Sequence, residues 1–239
     1  MDSKPLIFIA ENVTGLMTMA HGQVLKQIKE DFAAAGYYVK VQLLNAKNYE
    51  VPQSRKRVFI VGVRNDIHQE YKYEYPLPIT GTLQAHLVTL KDAIGDLPIN
   101  PKDVFDSDYS SMYMSRNRKK SWNDVSFTIQ ASGRQAPQYP GGEPMKKISK
   151  EKWAFQGDLN RRLSVRECTR IQTFPDWFEF SDGDKSNVKE NNKLNEKYKQ
   201  IGNAVPVLLA KAVSTNVISY LVNKLDISLT QVDLEANEV

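Results

Sequence analysis

Gln53-Ser54-Arg55-Lys56-Arg57-Val58-Phe59-Ile60-Val61-Gly62-Val63 places two guanidinium groups, one residue apart, directly before an uncharged, largely β-branched run. Side chains two positions apart in an extended chain share a face. The run behind them has the length and composition of a buried strand. Two donor-rich cations are therefore mounted at the mouth of a core strand, which suits an anion or a polar ring presented at a sheet edge. By itself the segment also reads as a solvated basic turn, so its neighbours decide.

Upstream, Leu6-Ile7-Phe8-Ile9-Ala10 is strand-like and ends at Glu11-Asn12-Val13. That puts a carboxylate just past a strand's carboxyl end, where open α/β sheets build their sites. Gly15 marks a turn, and Val24, Leu25, Ile28 and Phe32 then recur at helical spacing until Gly36. Tyr37 to Leu44 predicts a second strand, and Asn45 to Pro52 a connection into the Arg55/Arg57 strand. Residues 1–75 thus read as half of an α/β catalytic domain, without a Gly-rich phosphate or nucleoside loop.

Downstream, prolines and glycines interrupt short apolar runs from Tyr73 to about Pro101, with one brief helix over Leu90 to Leu97. From Val104 to Asp158 periodicity fades, which predicts a small, loop-rich, mostly β domain. Helical spacing returns in Leu163, Val165, Cys168 and Ile171 and stops at Pro175. The expected second domain covers 76–180, including that helix, and a polar Asn-rich loop covers 181–197. Over 198–239 the sequence predicts a turn at Ile201 to Pro206 and a helix whose first turn holds the proline. The last dozen residues are expected to fray. No internal repeat is present.

At 239 residues, 41% hydrophobic and 25% charged, this is the composition of a globular protein. No apolar run approaches the roughly 18 residues a membrane span needs, and the first residues lack the pattern of a secretory signal. A cytoplasmic protein without membrane contact is expected. One cysteine excludes an internal disulfide and, with histidines scattered at 21, 68 and 86, argues against any metal cluster. The net charge of +4 is uneven: Met112 to Arg170 holds thirteen Lys or Arg against five Asp or Glu. Aromatic residues such as Trp122, Phe127, Tyr139 and Trp153 interleave with these charges, as on a nucleic-acid face or on a merely solvated surface.

Four segments in order carry a resemblance. Glu11-Asn12-Val13, the Gln53/Arg55/Arg57 strand, Arg166-Glu167-Cys168-Thr169-Arg170-Ile171-Gln172-Thr173-Phe174-Pro175 and Gln200-Ile201-Gly202-Asn203-Ala204-Val205-Pro206 are similar to the sixth, eighth, ninth and tenth motifs of cytosine-5 DNA methyltransferases. The resemblance implies the C-terminal part of a Rossmann-like, S-adenosylmethionine-dependent methyltransferase sheet with a target-recognition domain. These enzymes flip cytosine out of the duplex, since its carbon 5 is unreachable while stacked. A cysteine thiolate adds to carbon 6, carbon 5 then takes the methyl group of S-adenosylmethionine, and a base removes the carbon 5 proton. By resemblance Glu11 holds ring nitrogen 3 and the exocyclic amine, and Arg57 holds the carbonyl oxygen. Arg55 supports the same pocket, and Asn12 and Gln53 brace it. Asn203 and Ala204 lie by the methionine end of the cofactor.

The departure is as informative. The family's nucleophile sits in a Pro-Cys pair between a Gly-rich cofactor loop and the Glu-Asn-Val segment, and neither is in this sequence. Cys168 lies on an apolar helical stripe and is expected to pack. The expectation is a C-terminal subunit or fragment of a prokaryotic restriction-modification methyltransferase working at nucleoid DNA. An N-terminal half would supply the nucleophile and most of the S-adenosylmethionine pocket, leaving this chain inactive alone. Met114-Ser115-Arg116-Asn117-Arg118 and Thr128-Ile129-Gln130-Ala131-Ser132-Gly133-Arg134 resemble recognition regions for G/C-rich duplex sites such as GGCC. Arg116, Arg118 and Arg134 are expected on guanines, whose two acceptors match the guanidinium fork, and Lys119 and Lys120 on phosphates. The alternative is a non-catalytic DNA-binding protein or a gene remnant. An RNA methyltransferase fits the arginine-rich recognition domain less well.

Overall fold

The computed structural model describes residues 3–81, 86–183 and 189–225. They divide into two units. One holds the described residues up to Leu44, Lys56–Leu77 and those from Ala210 on; the other holds Asn45–Arg55 and Pro78–Leu209.

The first unit contains β1 (Ile7–Val13), α1 (Gln23–Ala34), β2 (Tyr37–Asn45, its last residue in the other unit) and β3 (Lys56–Arg64), in sheet order β1-β3-β2. Every residue from Val58 to Val63 is buried, as the apolar run requires of a central strand. β1 pairs antiparallel with β3, from Ile7 opposite Val63 to Val13 opposite Arg57. The apolar stripe of α1, with Val24, Leu25, Ile28 and Phe32, packs on Leu16, Val58 and Ile60. Phe8 faces Gly62 across the strands, and a methyl at Gly62 would come within 2.0 Å of the Phe8 ring. Glycine there lets Phe8 lie across the sheet and meet Phe32 at 4.3 Å between ring centroids. Tyr73 donates its hydroxyl to the Val213 carbonyl at 3.0 Å, tying α5 (Val207–Leu225) into this unit.

The second unit contains α2 (Leu90–Ile94), a β4–β5 hairpin (Lys146–Ser149 and Lys152–Ala154), α3 (Val165–Ile171) and α4 (Glu190–Asn203). Its core gathers Leu90, Ile94, Ile129, Leu163, Cys168 and Ile171 with Leu194, Tyr198 and Ile201 of α4. Ser164 and Glu167 form a reciprocal capping box that starts α3. Arg161 grips the buried Glu167 carboxylate with two hydrogen bonds of 2.7 and 2.8 Å.

Five expectations change. β1 runs through Val13, so Glu11 sits inside a paired strand rather than past its end. Asn45–Arg55 groups with the second unit, not with residues 1–75. The loop expected over 181–197 is helical from Glu190, because Leu194, Tyr198 and Ile201 form a narrow buried stripe within polar composition; 184–188 lie outside the described residues. The second domain is mostly irregular rather than mostly β: among the described residues its only paired strands are β4 and β5, plus isolated bridges. Buried side chains satisfy backbone there in place of a ladder, as Arg162 does toward the Ser107 and Asp108 carbonyls at 2.7 and 3.2 Å. Finally, Glu190–Leu225 includes a window apolar and long enough to cross a membrane by length and composition, which corrects the expectation that no segment is. Within it, Leu209, Val213 and Val217, four residues apart, are buried like the stripe of a packed helix. The expected terminal fraying falls in 226–239, outside the described residues.

Candidate functional site

Register builds the first part of the site. Glu11 lies opposite Phe59, and Arg57 is two residues before Phe59 on β3. Opposite and alternate residues of an antiparallel pair share a face, so the carboxylate and the guanidinium must meet diagonally. They do, with Arg57 Nε 2.7 Å from Glu11 Oε1. The side chains keep 14% and 24% of their exposure. Arg57 also donates to the Lys56 carbonyl at 2.8 Å. Glu11 Oε1 is buried and receives no well-directed hydrogen bond, so the contact is one of charge. A cavity of about 270 Å³ on the α1 side of the sheet has Ala10, Glu11, Asn12, Ile28, Phe32 and Ile60 in its wall, and Arg57 is not part of it. The Asn12 side chain accepts from the Val13 N–H at 2.8 Å and is exposed.

The second unit holds a separate, buried clasp. Arg55 is 1% exposed. Its guanidinium donates to the Ile129 carbonyl at 3.0 Å and to the Gly202 carbonyl at 2.8 Å. Gln53 accepts from the Ile129 N–H at 2.9 Å and donates to Gln172 Oε1 at 3.0 Å. Gln172 in turn donates to the Ile201 carbonyl at 2.6 Å. Gly202 makes this possible, since a methyl there would stand 2.4 Å from the Gln130 carbonyl carbon. The clasp joins the 53–55 turn, the 128–131 segment and the end of α4. The Arg55 guanidinium is thus turned into the protein interior, where it holds main chain. Asn203 is exposed at the last position of α4, followed by Ala204 in extended conformation.

The expected DNA-contacting residues divide sharply. Arg116 and Arg134 are exposed. Arg118 is not placed to read a base: it is buried, donates to the Tyr113 carbonyl at 3.0 Å and to Gln135 Oε1 at 3.1 Å, and lies 4.6 Å over the Tyr113 ring. Lys119, expected on a phosphate, is likewise turned inward. It is 5% exposed and its ammonium donates to the Leu159 carbonyl at 2.9 Å, with burial pushing its pKa down. Unsatisfied loop carbonyls captured both cations. Lys120 is half-buried, its ammonium 4.9 Å from the Phe127 ring centre. Cys168 is fully buried, and burial followed by the nearby Glu167 charge pushes its thiol well up. An inert packing thiol results. Among the described residues no cluster of His, Cys, Asp or Glu is arranged to hold a metal.

A model of the C-5 cytosine-specific DNA methylases matches residues 1–219. This chain belongs to that family. It is 57% identical over 230 residues to the Type II methyltransferase M.BsuRI of Bacillus subtilis, covering 95% of this chain and 53% of the relative. To M.BspRI of Lysinibacillus sphaericus it is 58% identical over 224 residues, covering 92% and 52%. The methylase chain therefore spans about half the length of these curated relatives. The S. pombe Dnmt2 methyltransferase shares the fold at a TM-score of 0.54 and 17% identity, covering 93% of this chain and 68% of that one.

The family is S-adenosylmethionine-dependent. Gln172, Gly202 and the Arg161–Glu167 pair escaped the sequence reading as working parts. Their roles depend on partners 29 or more residues away for Gln172 and on a backbone approach for Gly202. The Arg161–Glu167 spacing of six residues was visible, but nothing in it marked burial.

Proposed function

We propose that this chain provides the cytosine clamp and the DNA-recognition part of a cytosine-5 methyltransferase. The first unit carries the clamp, and most of the second carries recognition. The Cys nucleophile and most of the S-adenosylmethionine pocket would come from polypeptide beyond these 239 residues, as a second subunit or as the rest of a longer chain. The observation that carries the reading is the Glu11–Arg57 pair, two opposite charges held 2.7 Å apart on one sheet face.

The chemistry follows from those two groups. A flipped cytosine presents its exocyclic amine and nitrogen 3 to Glu11 and its carbonyl oxygen to Arg57. One Glu11 carboxyl oxygen accepts from the amine, and the other shares a proton taken from solvent with nitrogen 3, which leaves the ring electron-poor. When a thiolate adds to carbon 6, electron density moves toward nitrogen 3 and the carbonyl oxygen, where Arg57 stabilises it. A preorganised donor of this kind is worth roughly 10²–10³ in rate. Bound S-adenosylmethionine supplies the electrophilic methyl group. Asn203 and Ala204 would hold its methionine end, and Gln53 and Arg55 would fix the turn that leads into Arg57. Arg116 and Arg134 would read guanines of a G/C-rich duplex, at roughly 1–3 kcal/mol of discrimination per bidentate pair.

The test is transfer of a labelled methyl group to G/C-rich duplex DNA by this chain alone, then with a separately expressed N-terminal half of a close relative. Transfer only in the mixture, falling about 10²-fold or more in Glu11→Gln and Arg57→Ala, is expected. Transfer by the chain alone would show that the nucleophile has been misplaced. Retained DNA binding with no transfer in either case would favour a non-catalytic binding protein.

A further inference from the structure

The buried Arg118 and Lys119 leave the DNA-facing charge to be found elsewhere, and the β4–β5 hairpin holds the densest exposed supply. Lys146, Lys147, Lys150 and Lys152 fall within seven residues and all four are exposed, with Glu151 the only acid among them. Among the described residues none of the four enters an ion pair, whereas Arg161, Arg166 and Arg170 of the same basic block are all bound to carboxylates. Ile148, between the lysines, is 53% exposed. The register pairs Lys146 with Ala154, Lys147 with Trp153 and, across an irregularity, Ser149 with Lys152. Lysines therefore project from both faces of the ribbon.

The roots of the hairpin are fixed while its tip is bare. Met145, just before β4, is 6% exposed and its sulfur accepts the Arg118 N–H at 3.3 Å. Phe155, just after β5, sets its ring edge against Tyr109 at 4.7 Å between centroids. A ribbon anchored by sulfur and aromatic contacts, carrying four unneutralised ammonium groups, is suited to a polyanion with regularly spaced charges. Lysine on a short, exposed edge also discourages strand-to-strand aggregation, and that role alone would need no partner.

We propose that the β4–β5 hairpin is the phosphate-contacting arm of the recognition domain, with Lys146, Lys147, Lys150 and Lys152 on the backbone of duplex DNA in place of Lys119. This rests on the DNA-recognition reading above. It assigns to the hairpin affinity and positioning rather than sequence choice, which remains with Arg116 and Arg134.

The experiment measures binding of the full chain to a G/C-rich duplex and to a scrambled duplex across a salt series. Each lysine–phosphate contact contributes about 0.9 to the slope of log affinity against log salt. Replacing all four lysines with glutamine should lower the slope by roughly 3 to 4 on both duplexes alike. Wild type should then lose about a hundredfold more affinity than the variant between 50 and 200 mM salt, on the order expected for four contacts. The Lys→Arg version of all four should keep the wild-type slope. Lys26→Gln with Lys29→Gln, exposed on α1, should also leave it unchanged, separating local contact from net charge. An unchanged slope in the four-glutamine variant overturns the assignment and leaves the function reading standing. Failure of wild type to bind either duplex overturns both.

Discussion

Gly202→Ala tests the clasp at its tightest point. A methyl at this position would meet the Gln130 carbonyl carbon and oxygen at 2.4 Å each and the Ala131 nitrogen at 2.5 Å. Carbon contacts settle at roughly 3.5–4.0 Å, so one backbone segment must retreat by about an ångström. Both neighbours are main chain, so no side-chain rotation relieves the clash. Overpacking of this kind costs about 1–3 kcal/mol. The Gly202 carbonyl is also the acceptor for Arg55 at 2.8 Å, and losing a hydrogen bond to a charged group adds about 1.5–3 kcal/mol. For a chain of this length each kcal/mol lowers the melting temperature by roughly 2–4 °C. A fall of about 5–24 °C on thermal unfolding followed by circular dichroism is therefore expected. Gly15→Ala is the control, because nothing lies within 4 Å of a methyl there. If Gly202→Ala melted within about 1 °C of wild type, as surface substitutions do, the close approach and the clasp built on it would be wrong.

Three further outcomes follow from other parts of the molecule. Gln172→Leu strips buried partners from Gln53 and the Ile201 carbonyl, and should cost about 2–4 kcal/mol in urea unfolding; a loss under about 0.5 kcal/mol would count against the network. Cys168 should stay silent toward a thiol reagent at pH 8 until the chain unfolds, because burial both raises its pKa and shields it; rapid native-state labelling would contradict that burial. The Asp176 carboxyl is held below its ordinary value of 3.8, chiefly by its hydrogen bond to Arg170. That contact therefore contributes stability above pH 3.8, lost as the pH falls through the lower folded-state value. Asp176→Asn should flatten the acid limb of the stability curve below about pH 5, and an unaltered limb would show the pair to be idle.

The sheet was legible because its information is local. An apolar run flanked by arginines, between strand-like and helical neighbours, reads as a buried strand with a polar mouth, and the α1 stripe repeats at helical spacing. The Glu11–Arg57 pair was legible only through ordered motifs, since pairing depends on a register no single segment carries. Helix α4 was missed because three apolar residues in fourteen look like a loop unless the four-then-three spacing of Leu194, Tyr198 and Ile201 is given weight. Arg118 and Lys119 misled for a different reason. A sequence counts charges, but it does not show which backbone carbonyls lack partners, and in an irregular domain those carbonyls compete with any outside ligand for the same cations. Glycine at 202 carried no visible signal, because the segment it must touch lies some seventy residues earlier in the chain.

The place of Glu11 within β1, opposite Phe59, has a consequence for how a nucleotide would be captured. A carboxylate on a loop can swing out and retrieve its target. One fixed in a hydrogen-bonded strand has only its own side-chain rotations, and its arginine partner has little more. On the function proposed above, the nucleotide rather than the enzyme must make the journey. The waiting time for capture would then be set by how often the duplex opens, and a mispaired or abasic-flanked cytosine should be seized sooner than one in a perfect helix.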